Sequence, residues 1–231
     1  VEDAGYTKAK DLLAYHIRPD FEVPPVMQAL VRHAQKQVTV RTLDRRHLDR
    51  ELEILRDIFN DAWSENWGFV PFTREEFKDI GKNLALLADD DFIQIAEING
   101  EPVAMIVILP NINEVIRDLD GRLLPFGWAK LLWRLKVRYP ETARIPLMGV
   151  RKHYQNSRLG PALAFTVINA LRAPVIARGI RDVEMSWILE DNSAMRNIIE
   201  TISGIPYKTY RIYEKPLASD PADRSHLSPV S

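Results

Sequence analysis

The sequence contains no cysteine. That excludes thiol nucleophiles, disulfides and thiolate metal sites, and it is compatible with a reducing compartment, so a cytoplasmic location is expected. An excess of charge of one sign is missing too. The 31 basic side chains face 32 acidic ones, a formal net charge of −1, which gives no general attraction for nucleic acid. The five histidines show no HExxH-type spacing, and no metal site is expected. No apolar run approaches the length of a membrane-spanning helix and the first residues lack a signal-peptide pattern, so no stable membrane insertion is expected either.

What is present is an apolar fraction of 46% in 231 residues, enough for one good core and a second small unit. The chain is organised around IPLMGVRKHYQNSRLG at 145–160. Ile145 to Val150 reads as a buried strand, followed by a basic turn and an apolar-periodic helix from Leu163 to Leu171. A strand that empties through a turn into a helix N-terminus presents unpaired backbone N–H groups and the positive end of the helix dipole, which favour an anion. Arg151, Lys152, His153 and Arg158 add side-chain charge there, although a solvated basic rim would carry the same residues.

Around this centre the chain divides into three parts. Residues 1–37 read as an N-terminal extension with a linker helix after Val23-Pro24-Pro25. They are either the tail of a preceding domain ending near residue 17 or an extension packed on the main domain. The Gly, aromatic, Lys, Tyr texture of this extension is faintly shared with GIPYKTYRIY at 204–213. Residues 38–215 read as the main domain, and 216–231, polar and apolar-poor, as a mobile tail.

Within the main domain, Val38–Leu43 alternates as a strand, and 47–63 is a long amphipathic helix. Thr73 and Glu76 have capping-box spacing ahead of a second helix. Asn99-Gly100 between FIQIAEI and PVAMIVIL is a hairpin signal. A long connection follows, containing the basic amphipathic stretch GWAKLLWRLKVRY, which a sheet-covering helix or a membrane-surface helix would both explain. After the central strand and helix come a strand at 182–189, a helix to about Ile202 and a strand over Tyr207–Tyr213. The order implies an α/β fold with a mixed sheet and helices on both faces.

That order, with a pyrophosphate-type turn between the central strand and its helix, resembles the GNAT N-acetyltransferase superfamily over about residues 38–215. The segments ILEDNSAMRNIIE, NWGFVP and GRLLPFGW are similar to an uncharacterised bacterial, acyltransferase-like branch of it. The resemblance implies a mixed, mostly antiparallel central sheet and an acyl-CoA co-substrate, acetyl-CoA or another. The implied activity is transfer of the acyl group to a small-molecule or peptide amine. The alternative is a degenerate, non-catalytic domain that serves a preceding domain or a homodimer as a binding or structural module.

In the family the turn runs Gln or Arg, x, x, Gly, x, Gly or Ala. Gln155 and Gly160 match, while Arg158 stands where the first glycine is expected and would either reach the phosphates or block the site. The implied cofactor contacts are the turn residues Gln155, Asn156, Ser157, Arg158, Leu159 and Gly160, with Met148 and Val150 on the strand, where the family polarises the thioester carbonyl. Asn192 matches an asparagine that helps hold the pantetheine arm, and it reads equally as a helix N-cap. The tyrosine acid of many members falls at Ile199, which has no proton to give. Candidate acids and bases are Glu97, Glu190 and Tyr213, with Glu184, Tyr207 and Tyr210 beside them. Trp67, Phe69 and Trp128 are expected to wall an acceptor site suited to an apolar amine, an acyl chain or a peptide end.

Overall fold

The computed structural model describes residues 1–216. All of the tail expected at 216–231 except its first residue lies outside the described residues. The strands are β1 (Thr7–Ile17), β2 (Val38–Thr42), β3 (Ile93–Ile98), β4 (Glu101–Pro110), β5 (Thr142–Val150), β6 (Asp182–Leu189) and β7 (Ile205–Glu214). The helices are α1 (Pro25–Ala34), α2 (Leu48–Trp63), α3 (Arg74–Leu87), α4 (Ile112–Ile116), α5 (Gly127–Lys136), α6 (Lys152–Gln155), α7 (Leu159–Ala177) and α8 (Ser193–Thr201).

The seven strands form one sheet in the order β2-β3-β4-β5-β6-β1-β7. Every neighbouring pair is antiparallel except β5 with β6. Helices α1 and α7 pack together, as do α2 and α3, and the helices cover both faces. This is the mixed, mostly antiparallel α/β architecture expected from the sequence.

Local chemistry explains the elements that were legible. Asn99 and Gly100 adopt φ of 53° and 80°, the left-handed pair that a tight hairpin between β3 and β4 requires. Thr73 and Glu76 form the full reciprocal capping box at the start of α3. Helix α7 is longer than expected. By length and composition it is apolar enough to span a membrane, which corrects the expectation that no stretch approaches that length. Ten of its residues are buried, so the apolar character serves the core.

Residues 7–17, read as part of an N-terminal extension, form a strand inside the sheet. β1 pairs with β6 on one side and β7 on the other, and Tyr15 and Ile17 join the single hydrophobic core. The two stretches with shared texture are therefore partners, pairing Lys8 with Tyr213 and Leu12 with Tyr210. Asp11 sits between them, bonded by the Arg211 guanidinium at 2.8 and 3.0 Å.

Candidate functional site

The parallel ladder of β5 and β6 runs only from Thr142↔Asp182 to Ile145↔Met185. Two features end it. The next residue of β5 is Pro146, which has no N–H to donate to the ladder. On β6, Trp187 takes φ of 63°, and the pairing with β1 jumps from Tyr15↔Met185 to Leu13↔Ile188. One extra residue of β6 is thus accommodated in a bulge that turns the strand away from β5. The gap is a cleft of about 230 Å³ between the two strands, closed at its ends by α2, α7 and α8.

The open edge of β5 is held from both sides. The Trp63 indole N–H, on the last turn of α2, donates to the Met148 carbonyl at 2.9 Å. The Gln155 side-chain amide donates to the Val150 carbonyl at 2.8 Å and the Ala62 carbonyl at 2.9 Å. Backbone groups alternate along a strand, and the Arg151 N–H points back to Val103 of β4. Met148 and Val150 therefore turn their N–H groups towards the cleft, where no ladder consumes them.

Of the expected turn residues, Gln155, Asn156 and Gly160 line the cleft, while Ser157, Arg158 and Leu159 do not. Arg158 has φ of −61° and ψ of −19°, an ordinary right-handed conformation, so the place where the family has glycine demands none here. The side chain is exposed and blocks nothing. Gly160 is the demanding position: a Cβ there would lie 2.6 Å from the Tyr154 carbonyl oxygen and 2.8 Å from that of Gln155. The turn also satisfies part of itself, since the N–H groups of Ser157 and Gly160 bond within it and that of Leu159 donates to the Ser157 hydroxyl. Arg151 is tied to Asp57 and the Pro102 carbonyl, and Lys152 to Glu65. Arg158 has no ion-pair partner among the described residues.

Asn192 is a helix N-cap that also lines the cleft. Its side chain caps α8 by accepting from the Met195 N–H at 3.1 Å. Ile199 is fully buried in the core.

The expected acids and bases are not brought to the cleft. Glu97 is locked to Arg41 at 2.6 Å on the far strands. Glu190 accepts from Lys8 at 2.6 Å, and that ammonium holds its carboxyl below the ordinary range. Tyr213 bonds Glu2 at the sheet edge. Each is bonded to a group remote in sequence: Glu97 to Arg41 on β2, Glu190 to Lys8 on β1, and Tyr213 to Glu2 just before β1. Glu184 comes nearer, two residues before Ser186 on the same face of β6. Burial raises its carboxyl, and Tyr207 and Arg144 outweigh this and hold it low; the same burial and Glu184 push the Tyr207 hydroxyl up to about 12. The expected aromatic wall is also displaced. Phe69 packs on Phe59, Trp128 stands exposed on α5, and Trp67 is outside the lining; Trp63 and Trp187 are the tryptophans at the cleft.

The lining contains no ionisable side chain. Its polar groups are Asn66, Gln155, Asn156, Ser186 and Asn192, and the rest is apolar, including Met148, Met185 and Met195. Among the described residues no cluster of metal ligands occurs. Pro146 and Trp63 were visible in the sequence as a strand proline and an aromatic at a helix end, but their joint effect depends on tertiary pairing.

Solved structures share this fold. A GCN5-related N-acetyltransferase from Sphaerobacter thermophilus superimposes with a TM-score of 0.58 over 92% of this chain and 53% of that one, at 16% identity. The fold is that of the GNAT acetyltransferases. A glucosamine N-acetyltransferase region of a fungal β-N-acetylglucosaminidase shares the GNAT fold at a TM-score of 0.54, 13% identity and 92% coverage of this chain, over 22% of its own. No family model matches the chain. Among curated proteins, the chain is 54% identical over 216 residues to Protein YghO of Escherichia coli, covering 93% of this chain and 55% of that protein. It is 47% identical over 218 residues to a bacterial ceramide synthase of Caulobacter vibrioides, covering 94% and 57% respectively. The chain thus spans a little over half the length of the curated relatives it matches.

Proposed function

We propose that this GNAT-fold chain transfers an acyl group from an acyl-CoA thioester to the amine of a long-chain, apolar amino compound. The observation that carries the reading is the lining of the cleft: methionines, tryptophans and aliphatic side chains with five neutral polar groups and no ionised one. Such a surface suits an alkyl chain and penalises a polyamine, whose charges would be stripped of water without a partner. The relative named ceramide synthase supports the same class, since a ceramide is the amide of a fatty acid with a long-chain amino alcohol.

In this reading the Met148 and Val150 N–H groups face the thioester carbonyl oxygen and stabilise the charge that develops there. Trp63 and Gln155 hold that edge of β5 by occupying its carbonyls. Asn192 and Asn156 offer neutral hydrogen bonds to an amide-bearing arm, and Arg158 with the start of α7 meets the phosphates. The amine attacks the carbonyl carbon, the C–S bond breaks, and the products are an amide and a free thiol.

The test is incubation of the protein with acyl-CoAs of increasing chain length and a long-chain amino alcohol, following thiol release and amide mass. Amide formation with this acceptor and none with spermidine is expected. Saturable CoA binding with no thiol release above hydrolysis for any pair would favour the second reading, a binding module, which the lack of an acid or base in the cleft also accommodates.

A further inference from the structure

Helix α5 and the turn before it are built inside out. Of the helix only Leu135 is buried. Ala129, half-buried, Trp133 and, just past the helix end, Val137 recur at i, i+4 and i+8 on the side turned away from Leu135, so that side presents apolar groups to solvent. Phe126 and Leu124 precede it at 77% and 80% exposure, and Trp133 and Val137 are exposed at 49% and 67%. A contiguous run of large apolar groups on the outside of a helix marks an interaction site rather than ordinary surface.

The charge around this stripe identifies the partner. Residues 117–138 carry six basic side chains (Arg117, Arg122, Lys130, Arg134, Lys136, Arg138) against two acidic ones (Asp118, Asp120), in a chain whose net charge is −1. Lys130 and Arg134 flank the stripe and share Asp118, and Lys136 reaches Asp89. Arg117, Arg122 and Arg138 have no ion-pair partner among the described residues. A second copy of this surface would bring like charges together, and an uncharged protein face would leave them unmatched. An apolar strip with tryptophan, bordered by lysine and arginine, fits the boundary between anionic headgroups and acyl chains.

We infer that α5 and its preceding turn dock the chain on the surface of an anionic lipid bilayer. The helix lies in the interface plane, with Phe126 and Trp133 among the acyl chains and the cations among the headgroups. α5 leads into the N-terminal end of β5, whereas the cleft opens at the C-terminal end. The surface is therefore an anchor and not the mouth of the cleft, and the inference is independent of the acyl-transfer reading.

Flotation of the purified chain with phosphatidylcholine vesicles, with and without phosphatidylglycerol, tests it. Binding is expected to be at least about tenfold tighter with phosphatidylglycerol and to weaken with salt. Phe126→Ser with Trp133→Ser should reduce it about tenfold or more, and Arg122→Glu with Arg138→Glu should remove the preference for anionic lipid. Neither pair is buried, so melting temperature should hold, and circular dichroism checks that it does. Absence of vesicle binding, equal binding to both compositions, or unchanged binding by the variants overturns the proposal. So does a dimer in light scattering that the Trp133→Ser change dissociates, since the stripe would then be covered by a second copy.

Discussion

Replacing Gly160 by alanine asks whether the turn after β5 is shaped by backbone contact or by ligand charge. The added Cβ would meet the Tyr154 and Gln155 carbonyl oxygens at 2.6 and 2.8 Å and the Gln155 Cα at 3.1 Å. All three are backbone atoms, so no rotamer change relieves the overlap and the turn itself must move. Over-packing of this kind costs about 1–3 kcal/mol, and alanine returns up to ~1 kcal/mol of helix propensity at the same position. The net loss of stability is therefore about 0–3 kcal/mol, up to roughly ten degrees of melting temperature. CoA binding should suffer too, because Gln155 ties this turn to the open edge of β5 and Gly160 itself lines the cleft. Each hydrogen bond to a charged group that a moved turn gives up is worth about 1.5–3 kcal/mol, so a fall in affinity of at least about tenfold is expected.

Arg158→Gly is the matched control. Its backbone is already right-handed, so glycine relieves no strain and only loosens the helix start. CoA binding should weaken a few-fold through the lost guanidinium. Calorimetric titration with CoA and thermal denaturation of the two variants and the native chain decide the matter. Native affinity in Gly160→Ala, or tighter binding in Arg158→Gly, would refute the reasoning.

Trp63→Phe keeps the ring packed on Phe59 but removes the N–H that holds the Met148 carbonyl. A stability loss of about 1 kcal/mol is expected, together with at least a roughly tenfold fall in turnover of acyl-CoA; equal turnover would detach Trp63 from the site. Asp11 ties β1 to β7, and bonds first from Arg211 and then from Lys8 hold its carboxyl well below the usual range. A depressed folded value means the stabilisation is complete above the unfolded carboxylate pKa near 4 and is lost progressively as pH falls from there through the lower folded value, so Asp11→Asn should flatten the acid decline of the melting temperature. An unchanged acid decline would show that the Asp11 pairs contribute nothing to holding β1.

Features decided within a few residues were legible in the sequence: the Asn99-Gly100 hairpin, the Thr73–Glu76 box and the strand-turn-helix at 145–171. Features decided by pairing across the chain were not. Residues 7–17 read as part of an N-terminal extension, and nothing local says that their neighbours are 182–189 and 205–214. Glu97, Glu190 and Tyr213 were plausible because each sits at a strand end or on a late strand, and each is consumed by a partner remote in sequence. Arg158 looked like a departure from the turn pattern because the pattern records residue type, whereas the constraint is on φ, and here φ is ordinary. The cleft itself arises from Pro146 on one strand and the Trp187 bulge on the next, two residues 41 positions apart whose effects meet only in the sheet.

A cleft without an ionised side chain alters the proton problem of amide formation. An alkyl amine is a cation in neutral water, and stripping water from it disfavours the charged form, as it does for a buried lysine. In the proposed acyl-transfer reading, the apolar lining favours the neutral, nucleophilic amine without a carboxylate, and the proton leaves with the solvent that the acceptor sheds on entry. The departing thiolate takes up the second proton, which the nitrogen sheds as the C–S bond breaks, so in this reading no protein acid is required and isoleucine at position 199 is tolerable. The pH dependence of kcat/KM then has one ascending limb, and its position belongs to the acceptor. Exchanging the amino alcohol for an analogue of lower amine pKa should move that limb down by the same interval. A limb that stays fixed while the acceptor changes would place the titrating group on the protein, with Glu184, beside Ser186 on β6, the first carboxylate to replace by glutamine.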